Sequence, residues 1–411
     1  MLKQITLIAL SLCFSQLSAQ DNLWSLERSV NYAFENNLQV KQLKNQAAIA
    51  QLNLKGAKWS QLPSVTGNGS IGTQYGRTID PTTNAFNQQN ITFNSFQINA
   101  NVTVFNGQRI RKNIRQSKLD VQAADLEASA TANDIGLQVA NSYLTVLLTR
   151  EQLSNARAQL QLTEDQLAQT DAGIEAGSLP VAQRYDLVAQ QAANQQSIVD
   201  LENQVKIALI NLQLTLELDP SEDFDIITPD LDISQADLVE RFQYEEVYLA
   251  ATASQPGIRA AEVRRASADV GKEVAKADYY PTLTAFGSLS SNFSSAARTV
   301  NTDNASLQPG APVPLLVNGV EVEVQAFEQT GVRFEDQPYF DQLNQNFGQT
   351  IGLRLDVPIY NQGRARLGVQ QAEIQRLNAD VSYQQAVNQL QSDVLNAIIN
   401  WEGAKQSYEA A

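Results

Sequence analysis

One alternating pattern occurs twice in this chain, and it limits what the chain can fold into. Between Phe96 and Asn106 an apolar side chain stands at every second position. The segment from Ile351 to Asn361 repeats this pattern 255 residues later, with every apolar position of one copy matched in the other. Alternation with period two predicts a β-strand whose two faces differ in chemistry. A chain that contains the same strand twice is predicted to be an internal duplication.

The length of these strands suits a membrane wall. Each is close to the roughly 9–11 residues that a tilted transmembrane strand needs. An edge strand of a soluble β-sandwich alternates in the same way, so the pattern alone leaves both interpretations open. On the membrane interpretation, the lipid-facing side chains are Phe96, Ile98, Val102, Ile351, Leu353 and Leu355. The side chains facing a water-filled lumen are then Gln97, Asn99, Asn101, Thr103, Arg354 and Asp356.

The rest of the chain repeats in the same order, since Pro63 and the strand after it match Pro281 and the strand that follows. Each repeat predicts a helix, a two-stranded hairpin and a long helical hairpin. The predicted domains are a first repeat over 21–219, a connector over 220–245 and a second repeat over 246–411. Strands are predicted at about 64–75, 92–105, 282–293 and 348–360, and long helices at about 108–175, 180–218 and from 363. An insertion within 294–346 makes the second hairpin loop longer.

The long helices show coiled-coil spacing. Leu153, Leu160, Leu167 and Ile174 recur every seven residues, which is typical of helices that pack along a heptad seam. The run Gly177, Ser178, Leu179 and Pro180 separates the two long helices, because Gly ends a helix and Pro suits the first turn of the next. By the repeat spacing, the second repeat is predicted to lack 62 residues, which include its own turn and its last helix.

Composition excludes most other classes of function. The chain has no histidine, and its single cysteine, Cys13, lies in a predicted signal peptide over 1–20 with a short apolar core and a small-residue cleavage site. A net charge of −15 argues against nucleic-acid binding. We also find no phosphate-binding or dinucleotide-binding glycine motif. The sequence therefore predicts no enzyme, no cofactor and no metal site.

The predicted strands require more than one copy of the chain. Four strands cannot close a barrel, and an open sheet edge cannot lie in hydrocarbon. A dimer would supply eight strands, whose interior fills with side chains, whereas a trimer would supply twelve strands and a pore. Together with the leader, the AFENNLQV segment of Ala33–Val40, the FNG and YNQG junctions and the heptad helices, this organisation resembles the TolC-like outer-membrane efflux protein (outer membrane factor) family.

The resemblance implies a fold and a function. The fold is an α+β membrane protein built from a duplicated helix, β-hairpin and long coiled-coil helical hairpin. Four strands per protomer of a homotrimer would contribute to a twelve-stranded β-barrel that continues into an α-helical periplasmic tunnel. The implied function is the outer-membrane exit channel of a tripartite efflux or type I secretion system in a Gram-negative bacterium. Its partners would be outer-membrane lipid, a periplasmic adaptor and a proton-driven or ATP-driven inner-membrane pump.

Two site assignments follow from the resemblance alone. The turn at Gly177, Ser178, Leu179 and Pro180 would be the tip where the adaptor docks, and Asp186 would lie near the gate. The competing interpretation is a secreted coiled-coil scaffold with a β-sheet head and no transport activity. Neither interpretation identifies a cargo or a particular pump.

Overall fold

The computed structural model describes residues 23–79, 84, 86–87, 90–229, 242–303, 305–317, 319–331 and 333–410. The predicted signal peptide and Cys13 lie outside these residues, as does part of the predicted connector. The helices are α1 (Leu26–Asn36), α2 (Leu38–Trp59), α3 (Arg109–Glu175), α4 (Ala182–Thr215), α5 (Tyr244–Ser254), α6 (Pro256–Lys276), α7 (Tyr339–Gln345) and α8 (Arg364–Ala410). Among the helices so described, none combines the length and apolar character needed to cross a membrane.

The strands form one four-stranded sheet and several two-stranded pairs. They are β1 (Leu23–Trp24), β2 (Ser64–Gln74), β3 (Thr78–Ile79), β4 (Phe86–Asn87), β5 (Ile91–Asn106), β6 (Asp225–Ile226), β7 (Thr282–Ser294), β8 (Arg298–Asn301), β9 (Ser306–Val317), β10 (Val320–Thr330), β11 (Arg333–Asp336) and β12 (Gly348–Asp356). The chain divides into two compact units. A helical unit comprises Met1–Lys55, Arg115–Gly271 and Glu373–Ala411, and a sheet unit comprises Gly56–Ile114 and Lys272–Ala372.

In the helical unit, a single residue joins α1 to α2. The backbone N–H of Asn37 donates to the carbonyl of Ala33 at 2.9 Å, which closes α1. Its side-chain Oδ1 accepts hydrogen bonds from the backbone N–H groups of Gln39 (2.9 Å) and Val40 (3.3 Å). Asn37 therefore also caps α2 and satisfies donors that have no partner inside that helix. The junction between the two helices therefore lies within the AFENNLQV segment of Ala33–Val40.

The core of the helical unit surrounds Tyr143, whose side chain is 2% exposed. β1 pairs in parallel with β6, so part of the predicted connector is held in a fixed place. The Tyr143 hydroxyl lies within hydrogen-bonding distance of the carbonyl oxygens of Trp24 and Ile227. Arg150 pairs with Asp225 nearby. Aliphatic and aromatic side chains of α1 to α4, of β6 and of the residues directly beside α4 and β6 complete the core: Ala33, Val40, Ile135, Val139, Val146, Ala208, Leu212, Leu216, Phe224 and Ile226.

Tyr143 should make the stability of this unit depend on pH. Burial raises the pKa of its hydroxyl above the usual value near 10, an effect that the Arg150 charge opposes and the Asp225 charge reinforces. The folded state holds this proton more tightly than the unfolded chain does. The stabilisation is therefore fully present below about pH 10 and is lost as the pH rises through the folded pKa.

We expect Tyr143→Phe to lower the free energy of unfolding by about 1 kcal/mol at neutral pH, because the hydrogen bond from its hydroxyl to the backbone carbonyls is lost. We also expect the stability of Tyr143→Phe to decline less than that of the parent between about pH 8 and about pH 11. Denaturant unfolding followed by circular dichroism measures both effects. Tyr408→Phe is the matched control, since that side chain is 52% exposed. Parallel pH dependences in the parent and Tyr143→Phe would contradict the assignment.

The helical hairpin of α3 and α4 is joined by a half-buried seam and by polar contacts. The seven-spaced side chains of Leu153, Leu160, Leu167 and Ile174 are all half-buried, as a heptad seam requires. The Asn194 amide donates to the buried Thr163 hydroxyl at 2.9 Å. Arg157 pairs with Glu202 at 2.7 Å across the same two helices. Packing and polar contacts together hold the two helices in one register.

The sheet unit contains an antiparallel meander in the order β2, β5, β7, β12. The pairing of β5 with β7 joins the first repeat to the second. The register shifts between Thr103 and Phe105, so the strict alternation predicted to reach Val104 is broken there by a bulge. β12 ends at Asp356 rather than near 360, because Pro358 has no N–H to offer a neighbouring strand.

The insertion in the second hairpin is folded, although the sequence indicated only a loop. β8 pairs with β11 and β9 pairs with β10, so two antiparallel pairs are nested between β7 and α7. α7 then returns the chain to β12. The second hairpin of the sheet unit therefore carries structure of its own at the end opposite the β5–α3 and β12–α8 junctions.

Candidate functional site: a two-faced sheet and a helical-hairpin turn

Backbone pairing gives the four strands a common phase. Ile98 of β5 lies opposite Gly67 of β2 and Leu289 of β7. Ala285 of β7 lies opposite both Val102 of β5 and Leu353 of β12. Residues directly opposite one another share a face of the sheet. One face, here called the apolar face, therefore carries all the predicted lipid-facing residues along with others: Val65, Ile71, Phe96, Ile98, Val102, Leu283, Leu289, Ile351, Leu353 and Leu355.

The opposite face, here called the polar face, carries the predicted lumen-facing residues. They are Gln97, Asn99, Asn101, Thr103, Arg354 and Asp356, which lie among serine and threonine side chains of β2 and β7. The Ser64 hydroxyl donates to Asn101 Oδ1 at 2.7 Å, and the Arg354 guanidinium lies 5.5 Å from the ring centroid of Phe286. The structure thus separates the two predicted sets onto two faces. Contact with lipid or with a lumen remains a prediction.

The apolar face is uncovered over most of its area in a single chain. Ile351 is 92% exposed and Leu353 is 69% exposed. Among the described residues, no strand pairs with the outer edge of β2 or of β12. In water, the open edges of such a sheet tend to pair with those of other chains. In lipid, their unpaired backbone N–H and C=O groups would cost free energy. Both problems disappear if the two edges pair with further copies and the apolar face meets hydrocarbon.

Both junctions from strand to long helix use two consecutive residues with left-handed backbone. After β5 these are Gly107 (φ 62°) and Gln108 (φ 65°), and after β12 they are Gln362 (φ 57°) and Gly363 (φ 76°). The duplication thus keeps the backbone conformation while the order of Gly and Gln is exchanged. A Cβ atom at Gly107 would lie 2.7 Å from Cβ of Tyr280, so only glycine fits there.

The turn between α3 and α4 is a hydrogen-bonded helix terminus. Gly177 has φ 73°, and its N–H donates to the carbonyl of Ile174 at 2.9 Å. The Ser178 N–H donates to the carbonyl of Gly173 at 2.9 Å, which completes a Schellman motif. Leu179 packs over Gly173, where an added Cβ would meet its Cδ1 at 2.6 Å. This packing and the Arg184–Asp171 ion pair at 2.9 Å hold the turn in one conformation.

The predicted gate residue, Asp186, is exposed near the start of α4. Around the turn several apolar side chains are also exposed, among them Val181 (53%) and Tyr185 (67%). The turn therefore offers an apolar surface with a carboxylate beside it. Docking at Gly177, Ser178, Leu179 and Pro180 and gating by Asp186 both remain predictions. Within the described residues there is no group of three or more acidic, histidine or cysteine side chains that could hold a metal ion.

Comparisons with known proteins agree with this geometry. Residues 30–216 match the family model described as outer membrane efflux protein. The pyoverdine export outer membrane protein OpmQ of Pseudomonas aeruginosa is 33% identical over 184 residues, which are 44% of this chain. The matched part spans only 37% of the length of that relative.

CusC and VceC are among the solved structures that share the fold. CusC, studied for conformational changes that accompany folding and transmembrane channel formation, superposes with a TM-score of 0.72 at 16% identity, over 94% of this chain and 77% of its own. The outer membrane protein VceC of Vibrio cholerae superposes with a TM-score of 0.66 at 16% identity, over 94% of this chain and 83% of its own. The predicted fold class is confirmed.

Proposed function

We propose that the chain is a TolC-like outer-membrane efflux protein and that it is the passive exit channel of an export system; the family match of residues 30–216 and the fold support this. It belongs to the outer membrane and extends into the periplasm. In this proposal an inner-membrane pump supplies the energy, and a periplasmic adaptor connects the pump to the channel. The chain itself provides a wall and no catalytic chemistry.

One observation carries the proposal: four strands from two distant parts of the chain place their apolar side chains on the same face of one sheet. A sheet with one aliphatic face and one face of Asn, Ser, Thr, Arg and Asp matches the alternation of membrane barrels that enclose water. Its two open edges support a barrel shared by several copies. Three copies would supply twelve strands, enough for an interior that side chains do not fill. A homotrimer is therefore the proposed assembly.

The test is the conductance of the purified protein in planar lipid bilayers, combined with export by cells. We expect the protein to require detergent for extraction, to insert into bilayers and to conduct ions. Cells that lack the gene should lose export of a cargo and regain it with the gene. Pyoverdine is the first cargo to test, because the similar protein OpmQ is described as a pyoverdine export outer membrane protein. A protein that is soluble and monomeric without detergent, and that conducts nothing, would instead favour the coiled-coil scaffold.

A further inference from the structure

The short helix α7 in the insertion is fixed to the sheet. Gln342 in its middle is 1% exposed. The Gln342 Oε1 accepts a hydrogen bond from the backbone N–H of Ser294 at 3.0 Å, and its Nε2 donates to the carbonyl of Gln337 at 2.9 Å. The Asn346 amide donates to the carbonyl of Asn292 at 2.9 Å. These contacts join the middle and the C-terminal end of α7 to the last residues of β7.

The sheet side chains described as contacting α7 lie on the apolar face. The Ser291 hydroxyl donates to the carbonyl of Leu343 at 2.6 Å, and Ser291 lies opposite Phe96 in the register. The rings of Phe293 and Tyr339 lie 4.9 Å apart between centroids. The Asn94 amide donates to the Tyr339 hydroxyl at 2.9 Å, and Asn94 lies opposite Phe293. α7 therefore rests on the apolar face, at the end remote from the β5–α3 and β12–α8 junctions.

Aromatic side chains on this part of the chain are left exposed. Phe340 is 78% exposed, and Phe347, which directly precedes β12, is 50% exposed. Polar side chains of α7 are exposed beside them, including Asp341 and Gln345. An apolar ring next to polar groups, at the end of an apolar wall, is the arrangement that membrane barrels show where hydrocarbon meets headgroups.

The length of β12 also agrees with the height of the apolar band of a membrane barrel. β12 has nine residues, which span about 30 Å along the strand and about 23 Å along the membrane normal at a tilt near 40°. That height is close to the roughly 25 Å of a barrel's apolar band. α7 thus lies where the apolar band should end.

We propose that α7 and Phe347 form an interfacial anchor that contacts lipid of the outer leaflet of the outer membrane. Phe340 and Phe347 enter the boundary between acyl chains and headgroups, while Asp341 and Gln345 stay in water. The occupant is lipid rather than another protein, because the anchor continues the apolar face that the proposed barrel presents to the bilayer. The inference therefore rests on the proposed function.

The test uses spin labels on the full chain reconstituted in lipid vesicles. Cys13, the only cysteine, is replaced by Ser, and single cysteines are introduced as Phe340→Cys, Phe347→Cys, Gln345→Cys and Leu353→Cys. Collision with oxygen reports lipid, and collision with a water-soluble nickel complex reports solvent. Phe340 and Gln345 lie about 140° apart around α7, so the second is a matched control on the same helix.

We expect the oxygen-to-nickel ratio at positions 340 and 347 to exceed that at 345 severalfold and to lie below that at 353. If position 340 is as open to nickel as 345 while 353 reports lipid, α7 lies in water, and the anchor is wrong although the membrane sheet is right. If 340 is shielded from both reagents, it faces a second copy of the chain, which also overturns the anchor. If 353 itself reports water, the proposed channel fails as well. If the label at position 340 disturbs α7, the oxygen-to-nickel ratio at position 347 tests the same proposal.

Discussion

Replacing Leu353 by Arg is expected to destabilise the membrane-inserted protein by roughly 2–4 kcal/mol, the cost of a cation at the bilayer midplane on the lipid face of a barrel. Leu353 stands next to the middle residue of β12, is 69% exposed and shares the apolar face with Val102 through Ala285. Within the described part of the chain most of its side chain is uncovered, so packing inside one subunit does not account for a large loss. Urea unfolding from lipid vesicles measures the free energy directly.

The controls are Arg substitutions on the polar face of the same sheet. Thr350→Arg tests the same strand three residues away, and Asn99→Arg tests a central strand. Thr350 and Asn99 both lie opposite Ser288. We expect both variants to unfold at nearly the parent urea concentration, because an Arg there stays in water. A loss at Leu353 no greater than at Thr350 would remove the assignment of the apolar face to lipid.

Replacing Gly107 by Ala is expected to destabilise the protein by about 2–5 kcal/mol, from two separate costs. A residue with a side chain loses about 1–2 kcal/mol in the left-handed region, and Gly107 has φ 62°. The added Cβ would lie 2.7 Å from Cβ of Tyr280, and crowding of this kind costs about 1–3 kcal/mol. Tyr280 cannot move its Cβ without moving its backbone, so the contact does not relax cheaply. The same unfolding experiment applies.

The second repeat supplies the control for that experiment. Gly363 has φ 76°, but among the described residues no atom lies within 4 Å of an added Cβ, so Gly363→Ala should show only the backbone cost of about 1–2 kcal/mol. The difference between the two variants isolates the contact with Tyr280. If both variants are destabilised equally, the close approach of Tyr280 to Gly107 does not contribute to the destabilisation of Gly107→Ala.

The local features of this protein follow from the sequence. Alternation fixes which side chains of β5 and β12 share a face, because successive residues of a strand point to opposite sides. Asn37 between two helices, and Gly177 followed by Pro180, act through their own backbone and nearest neighbours. The heptad row from Leu153 to Ile174 requires only helical periodicity. The family resemblance added the assembly and the role in export, which residue patterns alone left open between a channel and a scaffold.

Tertiary structure decided what depends on residues far apart in the chain. The pairing of β5 with β7 places the apolar side chains of two separately predicted hairpins on the same face of the sheet. The bulge at Val104 is defined only by the register of β5 against β7. Tyr280 forbids a side chain at Gly107, although the two residues belong to different repeats. The position of α7 on the apolar face rests on hydrogen bonds to Asn94 and Ser291. Propensity and periodicity describe a residue and its neighbours along the chain, whereas these contacts exist only once the strands have packed.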